Sequence, residues 1–558
     1  MKKLITLIMA ALMALGSFAF VGCGAGGGTG EDVNDDMSQL NIGIFNAGLG
    51  TVWLEETIDE FEALYANESF EEGKKGVQVW MDPKKEQFRP GNLMQTMPEY
   101  DNALYYLDQF NYNEYISKGL IEDITSVVQE KCFDENGDWA FKTGKPAVKS
   151  INDTMAYNLD KSFKKGDKYY GLPYYYMPTG MIYDADLFNT RGLYMFKNNQ
   201  FGAKQADIDA GLCSVGPDGI AKTMDDGMPN TWSDFIRLMN HMVSADIIPF
   251  TWDGQNLYQL KYAFNQIYAN YEGAENYLLN FSFSGHDTGL NLDITESNKM
   301  QLFNQQGRVA GIKAMYDIEA NEKYYSPKAL TQGHTEAQFE YVWSKNDDKP
   351  IAMFTEGGYW ESEARAVFDE MAISNSADGY GKRDFRLLPV PRFTGVSGVK
   401  EQVNTQRVVV GASAGIVCIS AKNKCENPIV QRELAELFLQ FAQSREQLVD
   451  FTKNTGACFR PYTYTTKPEE VPTYTKYAQS VLTQLNQGGA LALEVDLSED
   501  RINNASKYND GTDPWNFYAR RGDEVRCYEP FSYFRKYSGA SVTDCLNDML
   551  STSNAFFK

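Results

Sequence analysis

Leu40-Asn41-Ile42-Gly43-Ile44-Phe45 alternates at the period of a strand, and Gly48-Leu49-Gly50-Thr51 follows as a glycine-bearing loop. Residues 52–64 then carry apolar side chains at helical spacing, with Glu55, Glu56, Asp59 and Glu60 on the polar side. The reading is strand, loop, helix. Free backbone N–H groups at the start of that helix make residues 48–51 a place to hold a ligand oxygen. The same order recurs further on. Asp101-Asn102-Ala103-Leu104-Tyr105-Tyr106-Leu107-Asp108 reads as a strand running into a loop, and a helix-like stretch ends at Lys118-Gly119-Leu120. Thr231 is the expected N-cap of a helix reaching Val243, Gly415-Ile416-Val417-Cys418-Ile419 reads as a buried strand, and residues 429–449 as one long amphipathic helix. Alternating strands and helices predict an α/β fold, in which ligands sit in the crevice at the carboxyl ends of the strands.

At 558 residues the chain exceeds the size of one growing core, so two or more lobes are expected. Acidic residues outnumber basic ones by 75 to 52, and the formal charge of -23 repels phosphate backbones, which argues against a nucleic-acid partner and for a soluble monomer. The 34 Tyr and 33 Phe suit core packing or stacking on apolar ligand faces. Only three histidines are present, His241, His286 and His334, too few and too scattered to suggest a zinc site or a His-dependent nucleophile.

Lys2 and Lys3 precede an apolar run that is too short to span a bilayer, the order of a secretory signal over residues 1–22. The run ends in Phe20-Val21-Gly22-Cys23, which resembles the bacterial lipobox, with Phe20 where that motif usually has Leu. The resemblance implies a diacylated Cys23 at the outer face of the cytoplasmic membrane, followed by a flexible tether to residue 38. Seven further cysteines form no C-x-x-C pair, and their pairing cannot be read from spacing.

Five more stretches extend the pattern: Tyr170-Gly171-Leu172-Pro173, Ile182-Tyr183-Asp184-Ala185-Asp186-Leu187-Phe188, Pro229-Asn230-Thr231-Trp232-Ser233-Asp234-Phe235, Ala352-Met353-Phe354-Thr355-Glu356-Gly357-Gly358-Tyr359-Trp360 and Leu388-Pro389-Val390-Pro391. In this order they resemble motifs of the family 1 extracellular solute-binding proteins, the maltose-binding-like receptors of carbohydrate ABC importers. That resemblance implies a two-lobe periplasmic-binding-protein-like fold of type II with discontinuous lobes and a ligand cleft at the hinge. The expected first lobe comprises residues 39–178 with 408–465, and the second residues 179–407 with 466–558. It further implies a receptor that closes on a sugar and serves importer subunits, without catalysis and without a required cofactor.

A sugar site needs aromatic faces for stacking and carboxylates or amides for hydroxyls. Trp360 matches the family position whose ring floors the cleft, with Glu361 beside it. Tyr105 and Asp108 fall where the family has an aromatic and an acidic residue at a strand end. Tyr175 follows the Gly-Leu-Pro, Trp252 and Asp253 follow an apolar run, and Trp53 stands at the first helix start, which makes them further candidates. Asp218, Asp225 and Asp226 lie among turn glycines and are candidate oxygen ligands for a structural Ca²⁺, with a solvated surface turn as the alternative. Two other functions share this composition: a secreted glycoside hydrolase, for which Glu361 and Glu363 are an acid pair, and a surface polysaccharide-binding lipoprotein.

Overall fold

The computed structural model describes residues 33–108, 112–157, 159–203, 212–255, 258–285, 290–295, 297–494, 515, 517–521 and 524–556. The signal segment and Cys23 lie outside them. The opening unit is strand β1 (Ser38–Ile44), a loop, and helix α1 (Val52–Tyr65), which buries Trp53, Leu54, Ile58 and Phe61. Strands β2 (Val77–Pro83) and β3 (Leu104–Asp108) flank β1, both parallel to it, with Ile42 opposite Met81 and Leu104.

Strand β4 (Leu172–Asp184) is buried along all 13 residues, so it reads as a nearly continuous apolar run rather than an alternation. At about 3.3 Å per residue it extends roughly 40 Å, enough to pass from one lobe into the other. Beyond it come helix α2 (Trp232–Ser244), strand β5 (Ile248–Thr251), helices α3 (Tyr258–Glu272) and α4 (His334–Trp343), strand β6 (Ile351–Gly357), the single turn α5 (Trp360–Glu363) and strand β7 (Phe385–Leu387). Helix α2 starts at Thr231 as the sequence predicts. The Thr231 hydroxyl accepts from the Asp234 N–H, and the Asp234 carboxylate accepts from the Thr231 N–H.

Strand β8 (Val408–Ile419) returns alongside β4, followed by helices α6 (Pro428–Phe441), α7 (Arg445–Thr455) and α8 (Lys476–Asn486) and strand β9 (Ala490–Glu494). The nine-stranded sheet has the order β5-β6-β4-β8-β3-β1-β2, with β7 on β4 and β9 on β8. Its two outer ends are parallel (β5 with β6, β1 with β2 and β3), whereas the central strands β4 and β8 are antiparallel to each other. Their register slips between Ala412 and Gly415 and again before Ile416. A side chain at Gly415 would put its Cβ 2.4 Å from the rings of Tyr174 and Tyr175, so only glycine lets the strands approach at this bulge.

Two features depart from the sequence reading. The helix predicted over residues 429–449 is two helices, α6 and α7, broken at an extended Ser444. The break turns Arg445 inward, where its guanidinium meets Asp138 at 2.9 Å and Glu470 at 3.0 Å. Second, the larger apolar core spans both sides of the crossing strands. Tyr341, Phe354, Trp360, Phe368 and Phe385, expected in the second lobe, pack into the same cluster as β1, β3 and α1. A separate core gathers around Trp232, Phe250, Tyr268 and Trp515.

Candidate functional site

One groove of about 1890 Å³ runs past the carboxyl ends of β1 and β2 and continues along Gln39, Asn41, Trp80 and Asp101 to Lys424 and Gln431. Residues 46–52 after β1 and 82–87 after β2 line it together with Thr335, Ser362, Glu363 and Arg365. Gly48, which lines the groove, meets Tyr359. A Cβ on Gly48 would lie 2.8 Å from the Tyr359 ring, so the half-buried phenol of one lobe rests against bare backbone of the other.

Behind Tyr359 stands a cluster that the shortage of histidine hid from the sequence reading. The His334 ring, at the start of α4, is 6.1 Å from the Tyr359 ring between centroids. Its Nε2 lies 2.5 Å from Oε1 of Glu356, at the end of β6, and 3.0 Å from Oε2 of Glu363, at the end of α5. Gln338, one turn along α4, donates to Glu363 at 2.7 Å, and the Gly357 N–H donates to Glu356 at 2.7 Å. Burial works against charge on His334, but Glu356 and Glu363 outweigh it and raise the imidazole to about 11. Burial pushes the Glu356 carboxyl up despite His334, whereas for Glu363 the burial is outweighed by His334 and Gln338, which bring it down. Glu356 is fully buried, while His334 and Glu363 each keep 26% of the side chain exposed. Among the described residues these three are the one convergent set of three metal-ligating side chains.

The residues singled out from sequence are placed differently. Trp360 is fully buried and packs against Tyr341, Phe354, Phe368 and Phe385 with centroids 4.9–5.9 Å apart. Its side chain points into the core because α5 turns immediately after Tyr359, which stays half-buried against Gly48. Glu361 is likewise buried, and burial pushes its carboxyl up to about 7, against the pull of the Thr475 hydroxyl and Arg383. Trp53, Tyr175 and Tyr105 are core side chains. Trp53 stacks at 5.8 Å on Tyr174, Tyr175 packs on Tyr174 at 4.8 Å, and Tyr105 meets Phe88 at 5.5 Å. Trp252 packs on Tyr325 and Phe531, and buried Asp253 accepts from the Gln255 N–H at 2.9 Å. Asp108 ends β3 opposite Gly415, and its side chain lies outside the described residues. None of these described side chains lines the groove.

The loop read as a Ca²⁺ site is held by a cation of the chain itself. Arg407 reaches Asp218 at 2.7 Å and Asp225 at 3.9 Å, the Thr223 hydroxyl donates to Asp225 at 2.6 Å, and the Lys222 N–H donates to Asp226 at 2.7 Å. The guanidinium supplies the positive charge assigned to the ion, and the three carboxylates do not converge. Among the described residues Cys132 and Cys418 are buried free thiols and Cys425 is a partly buried one.

A family model described as bacterial extracellular solute-binding protein matches residues 98–448. Several solved structures share the fold at low identity. RafE from Streptococcus pneumoniae in its apo form is 14% identical with a TM-score of 0.51, over 95% of this chain and all of that one. A chitin oligosaccharide binding protein is 12% identical with a TM-score of 0.51, over 94% and 99%. A probable secreted solute-binding lipoprotein from Streptomyces coelicolor is 11% identical with a TM-score of 0.50, over 93% and 99%. No curated protein sequence matches the chain.

Proposed function

The chain belongs to the bacterial extracellular solute-binding proteins, and from that premise we propose that it captures a sugar or oligosaccharide by closing its lobes and delivers it to an ABC importer. The observation that carries this reading is half-buried Tyr359, whose ring lies against the groove-lining Gly48 and near His334, with Glu363 exposed to the groove beside it. A flat ring beside carboxylate, imidazole and amide groups is the chemistry that takes a sugar's apolar face and its hydroxyls. Trp360, next in sequence, is packed in the aromatic core rather than beside the groove. Two structural neighbours support the cargo class by their names: RafE, solved in complex with raffinose at a TM-score of 0.50, and the chitin oligosaccharide binding protein. Closure requires that the solute bind the closed form better than the open one. The importer would read the closed population.

Residues 1–23 supply the anchor in this reading. Among the described residues no helix is long and apolar enough to cross a membrane. Cys23→Ala should abolish incorporation of radiolabelled palmitate and move the protein from the membrane fraction to the medium; unchanged fractionation would refute the anchor.

The test of the main reading is a thermal-unfolding screen of the chain lacking residues 1–23 against mono- and oligosaccharides, with free sugar products assayed in parallel. A ligand at about 100 times its dissociation constant adds about 2.7 kcal/mol. A shift for one sugar class without turnover supports a receptor. Product release would instead make the protein a hydrolase, and no shift with any sugar would remove carbohydrate as the cargo.

A further inference from the structure

Glu356, His334 and Glu363 come from three elements, β6, α4 and α5, yet their ligating atoms lie within 4.8 Å of one another. Two glutamines enclose them, and both leave an oxygen unsatisfied. Gln259 Nε2 is 3.1 Å from His334 Nδ1, and Gln338 Nε2 is 2.9 Å from His334 Nε2 and 3.4 Å from Glu356. Oε1 of each glutamine is buried without a hydrogen-bond partner. An amide's nitrogen and oxygen have nearly the same shape, so each group can be turned over in place. With Gln259 turned, its oxygen accepts from Nδ1–H of His334, which leaves the Nε2 lone pair aimed at Glu356 and Glu363. With Gln338 turned, its Oε1 joins them as a fourth donor. Three oxygens and a nitrogen lone pair at such spacing repel one another unless a proton or a metal cation lies between them, and a metal ion would take the place of the proton on His334 Nε2 that faces Glu356 and Glu363.

We propose that His334, Glu356, Glu363 and Gln338 form a binding site for a divalent first-row transition ion, Zn²⁺ by preference, in the wall of the groove. An imidazole among the ligands selects such ions over Ca²⁺ and Mg²⁺, and a compact set of four donors suits tetrahedral Zn²⁺. Gln259 acts as the outer partner that fixes the imidazole tautomer. The ion enters from the groove, which Glu363 and Thr335 line. This site does not depend on the identity of the solute, and the test below uses no sugar.

The full chain is stripped with a chelator, returned to metal-free buffer and titrated with Zn²⁺ by calorimetry and with Co²⁺ by visible absorption. The expected result is one equivalent of Zn²⁺, and at the same stoichiometry the strong visible bands of four-coordinate Co²⁺ without thiolate charge transfer. Ca²⁺ leaves the titration unchanged. His334→Ala and Glu363→Gln each weaken Zn²⁺ binding by about a hundredfold or more, since losing even an outer partner costs about ten- to a hundredfold. Circular dichroism reports whether each variant folds, and the Co²⁺ spectrum of the unsubstituted chain decides the matter where one does not. No Zn²⁺ uptake, a Co²⁺ spectrum that stays six-coordinate or shows thiolate bands, or affinity unchanged in both folded variants would each overturn the site.

Discussion

Tyr359 and Trp360 are neighbours with opposite surroundings: the phenol is half-buried against Gly48 and the indole is sealed in an aromatic core. Their substitutions should separate accordingly. Tyr359→Ala should weaken sugar binding about tenfold, roughly 1 to 1.5 kcal/mol for a stacked ring, with little change in unfolding. Trp360→Ala should cost about 3 to 5 kcal/mol of stability, read by denaturant unfolding, because its cavity opens inside the core. Affinity lost in neither variant would detach the groove from the solute. Glu361 gives a pH test. Its folded value of about 7 exceeds the ordinary 4.5, so the folded chain holds a proton that the unfolded chain has released. Its contribution is therefore complete below 4.5 and falls as pH rises through 7. Glu361→Gln should raise stability by about 2 to 3 kcal/mol at about pH 8 and by almost nothing at about pH 4, measured by urea unfolding at both. An equal effect at the two pH values would exclude burial of the charge as its cause.

At the scale of elements, the bulge in β8 is where the two crossing strands come closest to needing a glycine. Gly415→Val would drive its side chain into Tyr174 and Tyr175. The expected cost is about 1 to 3 kcal/mol in urea unfolding, from overpacking, and an unaltered midpoint would show that the crossing strands yield freely. The elements explain why the sequence is legible in some places and opaque in others. The β1–α1 unit and the Thr231 cap are local: period and capping chemistry decide them, and both appear as read. The split of residues 429–449 is not local, since it depends on Arg445 finding Asp138 some 300 residues away. The groove behaves the same way. The motif around Ala352-Met353 ends in two adjacent aromatics, and which of them is buried is fixed by the turn of α5 and by packing on Phe385. Rarity concealed His334, whose partners Glu356 and Glu363 are assembled only by the meeting of α4, β6 and α5. Asp218 and Asp225 misled for the converse reason, because Arg407, nearly 190 residues on, neutralises them.

For the whole molecule, the contact between Gly48 and Tyr359 is where closure can be tested at the seam itself. The lobes meet here at bare backbone, and the space for a side chain is missing: a Cβ at residue 48 would stand 2.8 Å from the ring. Gly48→Val therefore acts as a wedge, disfavouring the closed form while leaving the open form and each lobe's core unaffected. If the solute binds only the closed form, its apparent dissociation constant rises by the factor by which the closed population falls. A wedge costing about 1.4 kcal/mol should weaken binding about tenfold. Small-angle scattering should show the unsubstituted chain contracting when the sugar is added, and Gly48→Val contracting only at correspondingly higher sugar concentration. Thermal unfolding without sugar should change little between the two. Contraction at the same sugar concentration in both chains would mean that the lobes reach their bound arrangement without this contact. In that case the groove would have to be read as an open surface on which solute binds, rather than as a cleft that shuts on it.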